Sequence, residues 1–299
     1  MTQRGSHPGG STEPERRVTS FRRGDLSFDV ADRGPIAGPV AVLLHGWPGG
    51  ARTWDEVVPR LGERGVRTLA PDQRGYSPGA RPKGRRNYVM DELVSDVVAL
   101  IDEAKVPRVH LVGHDWGGAV AWVIASRFAQ RVASLTVLST PHPAALASSV
   151  WSSDQALRSS YMAGFQVPVI AERVLLARDA ALLRVMLERS GLGHERAIEY
   201  SRRQQEPGML SGGLAWYRAL PLERGTGAGE VTVPTTFAWS TGDVALGRRA
   251  AELTADHVTG PYRFEVLEGV SHWIPEQEPA TTTDLILDRI AGFAEPDGS

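Results

Sequence analysis

The segment Val109-His-Leu-Val-Gly-His-Asp-Trp-Gly-Gly-Ala119 decides how the rest of the chain is read. Residues 109–112 are a short apolar run, the pattern of a strand buried on both faces. A turn cluster follows at once, and residues 117–128 then read as a helix. The order is strand, tight turn, helix, with Gly113 and Gly117 on either side of Asp115. Glycine at both places suits a turn in which neighbouring backbones come close. Such a turn presents a nucleophile at a helix start, where the dipole and free N–H groups favour an anion. The same aspartate also fits a plain N-cap after a strand, so the segment by itself leaves both readings open.

Working outward, strand-like runs precede it at 18–22, 26–31, 40–44 and 66–70, with a helix at 54–64. The 40–44 run ends abruptly in the turn cluster His45-Gly-Trp-Pro-Gly-Gly50. Apolar residues at 90, 93, 94, 97, 98 and 101 share one helical face, and another strand is expected at 135–138. This alternation predicts a mostly parallel sheet covered by helices. After Pro141 the rhythm changes. Leu175, Leu176, Leu182, Leu183, Val185, Met186 and Leu187 follow helical spacing, with no strand pattern before the Gly-rich stretch 225–229. Strands resume at 231–239 and 262–267, with helices at 248–257 and 283–293. The expected architecture is α/β, an eight-stranded sheet flanked by helices. Its core spans 18–140 and 230–299, a helical cap insertion spans 141–229, and residues 1–17 form a polar, disordered tail.

The 299 residues carry 33 basic and 35 acidic side chains and no cysteine. A net charge of −2 gives no electrostatic reason to expect a nucleic-acid partner. Without cysteine, thiol nucleophiles, disulfides, Cys-ligated zinc and iron–sulfur clusters are excluded. The basic residues are almost all arginine and are scattered. The one concentration, Arg81-Pro-Lys-Gly-Arg-Arg86, reads as a solvated loop. The N-terminus lacks the apolar core of a signal peptide, and no stretch has the length of a membrane span. A cytoplasmic protein without membrane contact is expected.

Two further segments bear on Asp115. Gly269-Val-Ser-His-Trp273 places His272 beyond the end of the last strand, and Trp239-Ser-Thr-Gly-Asp243 places Asp243 beyond the strand before it. Ligands and catalytic groups of open α/β sheets gather at these carboxyl ends. Of the eight histidines, only His272 has the location of a general base. His45, His114 and His142 adjoin turns, where hydrogen bonding to backbone is the expectation.

The chain resembles α/β-hydrolases of the epoxide hydrolase group from residue 18 to 294. The resemblance rests on His45-Gly-Trp-Pro48, Gly113-His-Asp-Trp-Gly117, Gly242-Asp243 and Ser271-His272-Trp273, in the chain order nucleophile, acid, histidine. Within the insertion, Tyr161-Met-Ala-Gly-Phe-Gln-Val-Pro168 and Trp216-Tyr217-Arg218 resemble the segments that carry that group's paired tyrosines. The resemblance implies Asp115 as nucleophile, His272 and Asp243 as the base and its partner, and Tyr161 and Tyr217 as proton donors. It also implies an oxyanion hole from the N–H groups of Trp47 and Trp116, a cis Trp47–Pro48 bond, and no cofactor or metal. The partners would be a small apolar or aromatic epoxide and water, in a monomer or homodimer.

The residue types suit this chemistry. A serine attacking an epoxide would leave an ether that water does not readily cleave, whereas a carboxylate leaves a hydrolysable ester. The opening epoxide forms an alkoxide, for which a phenol is a suitable donor. Haloalkane dehalogenases share the aspartate, histidine and acid, and hold halide with N–H donors. Trp116, Trp151 and Trp216 offer indoles for that role, but Trp47 stands where dehalogenases typically have asparagine. Fluoroacetate dehalogenases usually have arginine after the nucleophile, where this chain has Trp116. An esterase is disfavoured because aspartate attack on an ester gives an anhydride. A non-catalytic ligand-binding protein would have to retain every element of the machinery unused.

Overall fold

The computed structural model describes residues 16–292 except 152 and 226. The expected tail therefore lies outside the described residues up to position 15. Arg17 is tied down, with its guanidinium 2.8 Å from Asp32.

Eight strands form one sheet: β1 Ser20–Arg23, β2 Leu26–Arg33, β3 Val40–Leu44, β4 Arg67–Pro71, β5 Val109–His114, β6 Val132–Leu138, β7 Thr235–Ser240 and β8 Tyr262–Leu267. Their spatial order is β1-β2-β4-β3-β5-β6-β7-β8. The two pairs involving β2 are antiparallel, and the other five are parallel. Strands β3, β4, β5, β6 and β7 are buried at every residue, as strands between two helical layers are, and β3 is apolar throughout. The order reverses between β3 and β5, and that switch point brings the loops after these two strands side by side.

Helices α1 Val57–Glu63, α2 Met90–Glu103 and α3 Trp116–Arg127 connect the first half of the sheet. Among these, α3 is apolar on all sides and buries Val120, Ala121, Trp122, Val123 and Ile124 completely. Between β6 and β7 the chain runs through α4 Pro143–Ser149, α5 Gln155–Arg158, α6 Tyr161–Phe165, α7 Ile170–Arg189, α8 His194–Arg203 and α9 Met209–Ala219, with no strand among the described residues of this insertion. The chain ends through α10 Arg248–Leu253, α11 Ile274–Gln277 and α12 Pro279–Ala291. No helix among the described residues is long and apolar enough to cross a membrane.

Three local expectations need correction. The strand expected at 231–239 starts only at Thr235, because Pro234 has no N–H for the ladder; Val231 makes just an isolated bridge to Val258. The helix expected at 54–64 opens as a 3-10 turn over Ala51–Trp54 before α1 begins. Arg81 is not solvated: it donates to the Tyr76 and Pro207 carbonyls and pairs with Glu206 at 3.0 Å, tying the core to the insertion.

Candidate active site

Asp115 occupies the turn between β5 and α3 with φ +52° and ψ −124°, a backbone conformation rare for any residue but glycine. Strain of this kind costs on the order of 1–3 kcal/mol and needs the surroundings to hold it. Two glycines make it possible by close approach. A Cβ on Gly117 would drive into the Leu44 carbonyl, and one on Gly46 would occupy the place of the Asp115 carboxylate. The His45-Gly-Trp-Pro48 loop thus lies directly against Asp115, and its Trp47–Pro48 bond is cis.

The Asp115 carboxylate is held from two sides. Trp47 N–H donates to Oδ1 at 2.8 Å, and Trp116 N–H adds a second backbone bond. His272 Nε2 stands 3.5 Å from Oδ2. Burial alone would raise the carboxyl's pKa, but His272, His114 and the Trp116 N–H outweigh it, so the pKa lies below its ordinary value. Asp115 is an anion at neutral pH, with Oδ1 held by the Trp47 N–H and Oδ2 facing His272.

His272 follows β8 and Asp243 follows β7. Asp243 Oδ2 accepts from His272 Nδ1 at 2.8 Å, while Asp243 Oδ1 accepts the N–H groups of Ala245 and Leu246 at 2.7 and 2.9 Å. Ser139 Oγ and His114 Nε2 both donate to the His272 carbonyl, fixing the loop. Burial disfavours the imidazolium, yet the charges and hydrogen bonds of Asp243 and Asp115 prevail and lift the His272 pKa well above its ordinary value. His45 and His142 likewise hydrogen-bond to backbone carbonyls, as expected for histidines beside turns.

Tyr161 at the start of α6 and Tyr217 in α9 face this constellation from the insertion. Their ring centroids are 6.3 Å apart, and Phe165 packs against both at 5.5 and 5.2 Å. Burial raises both phenol pKa values first; the charge of Asp115 adds to it at Tyr161, and Tyr161 and then Asp115 add to it at Tyr217. Both therefore remain protonated at neutral pH, although hydrogen bonds from Tyr217 to Tyr161 and from Trp116 to Tyr217 pull the other way. Trp47 and Trp116 close the walls, with centroids 5.9 and 5.1 Å from Tyr217.

All seven expected site residues therefore converge on one place. Of the indoles considered as halide donors, Trp151 and Trp216 do not, and that of Trp116 is already engaged. Trp216 Nε1 donates to the Arg74 carbonyl at 2.8 Å, Trp151 is 92% exposed, and Trp116 bonds the Tyr217 hydroxyl. Sequence reasoning missed Tyr76, a buried phenol after β4 that packs edge-on against His45 and feels the Asp115 charge. It also missed Phe165, although that residue lies in the quoted Tyr161–Pro168 stretch. No group of three or more His, Asp or Glu side chains among the described residues is arranged to hold a metal ion.

Residues 39–279 match the model of the alpha/beta hydrolase fold family. The chain is 35% identical to the AB hydrolase superfamily protein YfhM of Bacillus subtilis over 274 residues, 88% of this chain and 94% of that one. It is 31% identical to Epoxide hydrolase A of Mycobacterium tuberculosis, again with 88% and 94% covered. The crystal structure of Epoxide Hydrolase A from Mycobacterium thermoresistibile superposes with a TM-score of 0.78 at 25% identity, covering 93% of this chain and 98% of that one. The chain belongs to the alpha/beta hydrolase fold family and, within it, to the epoxide hydrolase group.

Proposed function

We propose that this chain hydrolyses small apolar or aromatic epoxides to vicinal diols through an ester on Asp115. The carrying observation is the placement of two protonated phenols opposite a carboxylate whose free oxygen faces an imidazole. Oδ2 of Asp115 attacks an epoxide carbon, the carbon–oxygen bond breaks, and Tyr161 or Tyr217 supplies the proton taken up by the departing oxygen. Oδ1 stays with the N–H of Trp47, and with the N–H of Trp116 this forms the oxyanion hole for the charge that develops when water later attacks the ester carbonyl. His272 takes the proton of that water, and Asp243 orients the ring and stabilises its cation. Collapse of the tetrahedral adduct expels the alkyl oxygen, which takes up the second proton of that water; the diol leaves, Asp115 is again a carboxylate and His272 keeps the proton it took. In this reading residues 141–229 act as a cap over a core of 18–140 and 230–299.

The mechanism is tested by incubating His272→Gln with a panel of aryl and alkyl epoxides and weighing the intact protein. An adduct of the epoxide's mass, located on Asp115, is expected. No adduct with any epoxide, from a folded variant, would overturn the reading. Halide release from haloalkanes without diol formation by the wild type would favour the dehalogenase instead.

A further inference from the structure

Tyr161 sits on a helix of only five residues, whose N-terminus has no side-chain cap. So short a helix has little stability of its own. Its partner Tyr217 belongs to the 11-residue α9, which is buried along its length. The spacing of the two phenols must therefore come from tertiary bonds between the segments that carry them.

Those bonds converge on Arg218, the residue after Tyr217. Its Nε donates to the Phe165 carbonyl at 2.8 Å, one turn along from Tyr161. Its Nη1 and Nη2 form a fork with Glu172 of α7, at 2.7 Å to Oε1 and 3.0 Å to Oε2. Ser211 Oγ adds a donor to Glu172 at 3.0 Å. One residue from Phe165, Gln166 Nε2 donates to the Tyr217 carbonyl at 2.8 Å. The Arg218 and Glu172 side chains are 9% and 16% exposed, so water competes weakly for the pair. Planar fork geometry and limited solvent make this a directional tie rather than a surface ion pair.

We propose that the Arg218–Glu172 pair is a positioning device for the epoxide-opening half of the reaction. It fixes the Tyr161 segment against α9 and thereby sets the two hydroxyls at the spacing from which both reach one epoxide oxygen. Neither residue touches substrate. The ester-hydrolysis half uses His272, Asp243 and the N–H groups of Trp47 and Trp116, none of which bonds to this pair, so that half proceeds independently of it. The proposal rests on the reading of Tyr161 and Tyr217 as proton donors.

The test is single-turnover kinetics with the fastest member of an epoxide panel that includes styrene oxide, following ester formation and ester decay separately by quenched-flow mass analysis. Glu172→Gln keeps the side-chain shape and removes the charge; Arg218→Lys keeps the charge and removes the fork. Both are expected to slow ester formation at least about ten-fold while ester decay changes less than about two-fold. Glu172→Asp, which retains the charge, should recover part of the loss. Because a lone buried charge can unfold a protein, the neutral pair Glu172→Gln/Arg218→Gln is measured as well, and the same selective loss is expected. Equal slowing of both steps, or no slowing in folded variants, would overturn the proposal. Tyr161→Phe/Tyr217→Phe separates the two levels: if it leaves ester formation unchanged, the donor reading fails, whereas if it slows that step and Glu172→Gln does not, only the positioning role fails.

Discussion

Replacing Glu276 by glutamine should make the protein more stable at pH 8 and leave it little changed near pH 4.5. Glu276 lies in α11, four residues after His272, and its carboxyl is enclosed although part of the residue meets solvent. Tyr200 of α8 donates to Oε1 at 2.7 Å, while Oε2 is buried with no hydrogen-bond partner. Burial raises the pKa from its ordinary 4.5 to about 7, against the opposing influence of Tyr200, His272 and Arg196. Between these values the unfolded chain has released the proton and the folded one still holds it, so stability falls as pH rises. At about 1.4 kcal/mol per unit, the loss accumulated by pH 7 is about 3 kcal/mol as an upper figure. Glutamine keeps an acceptor for Tyr200 and carries no charge at any pH, so it escapes this loss. The assay is urea unfolding of both proteins at half-unit steps from pH 5 to 8.5. Burial pushes the pKa values of His45, His110, His114 and His142 down to about 4, which lowers stability as pH falls below 6.5. That slope is common to both proteins and cancels in their difference. The difference should grow by about 1–3 kcal/mol across the range in favour of the variant. A flat difference, or a variant less stable at pH 8, would refute the account of Glu276 as a buried, proton-linked carboxyl.

Two substitutions probe the turn and the base. Gly117→Ala places a methyl group against the Leu44 carbonyl at the foot of α3. It should cost more than about 3 kcal/mol and yield little soluble protein, measured by urea unfolding or recovery after expression; a normal midpoint would show that the turn has slack. Asp243→Asn should leave ester formation nearly unchanged and slow ester decay about 100-fold or more, because the imidazole loses its charged partner. Accumulated adduct in intact-mass spectra during turnover is the readout, and slowing of ester formation alone would contradict the assigned role.

What could be read from the sequence follows from the range of the interactions involved. The Asp115 turn is local: Gly113, Gly117 and the flanking strand and helix patterns lie within a dozen residues. Asp243 and His272 were legible for a related reason, since strand ends in a parallel sheet share one edge whatever the loops do. The start of β7 was misjudged because hydropathy ignores the missing N–H of Pro234. Arg81 looked solvated because its partners, Glu206 and Pro207, lie more than 120 residues further on. Glu172 with Arg218 and Glu276 with Tyr200 are 46 and 76 residues apart. No periodicity connects them, and only the packing within the insertion and of the insertion against the core reveals which charges are enclosed and paired.

The protonation of His272 links the two halves of the proposed cycle. In the free site this histidine lies between two carboxylates and holds a proton, which suits it poorly as a base. Alkylation alters that balance. Once Oδ2 of Asp115 is bonded to carbon, the carboxylate becomes a neutral ester, and two of the four influences that raise the His272 pKa are lost: the charge of Asp115 and its hydrogen bond. Burial, the largest single influence, then works against Asp243 alone, and the imidazolium becomes a stronger acid. The proton it gives up replaces the one that a tyrosine delivers to the opening epoxide. What remains is a neutral imidazole, still aligned by its 2.8 Å bond to Asp243, beside an ester that needs an activated water. Hydrolysis returns a proton to His272 and a charge to Asp115, so the site ends in the state from which it began, with no proton drawn from solvent. A serine nucleophile would be neutral before attack, so esterifying it would remove no negative charge from beside the base. In the proposed cycle the aspartate at position 115 therefore does more than permit a hydrolysable intermediate: its loss of charge on alkylation turns the neighbouring histidine into the base that the next step requires.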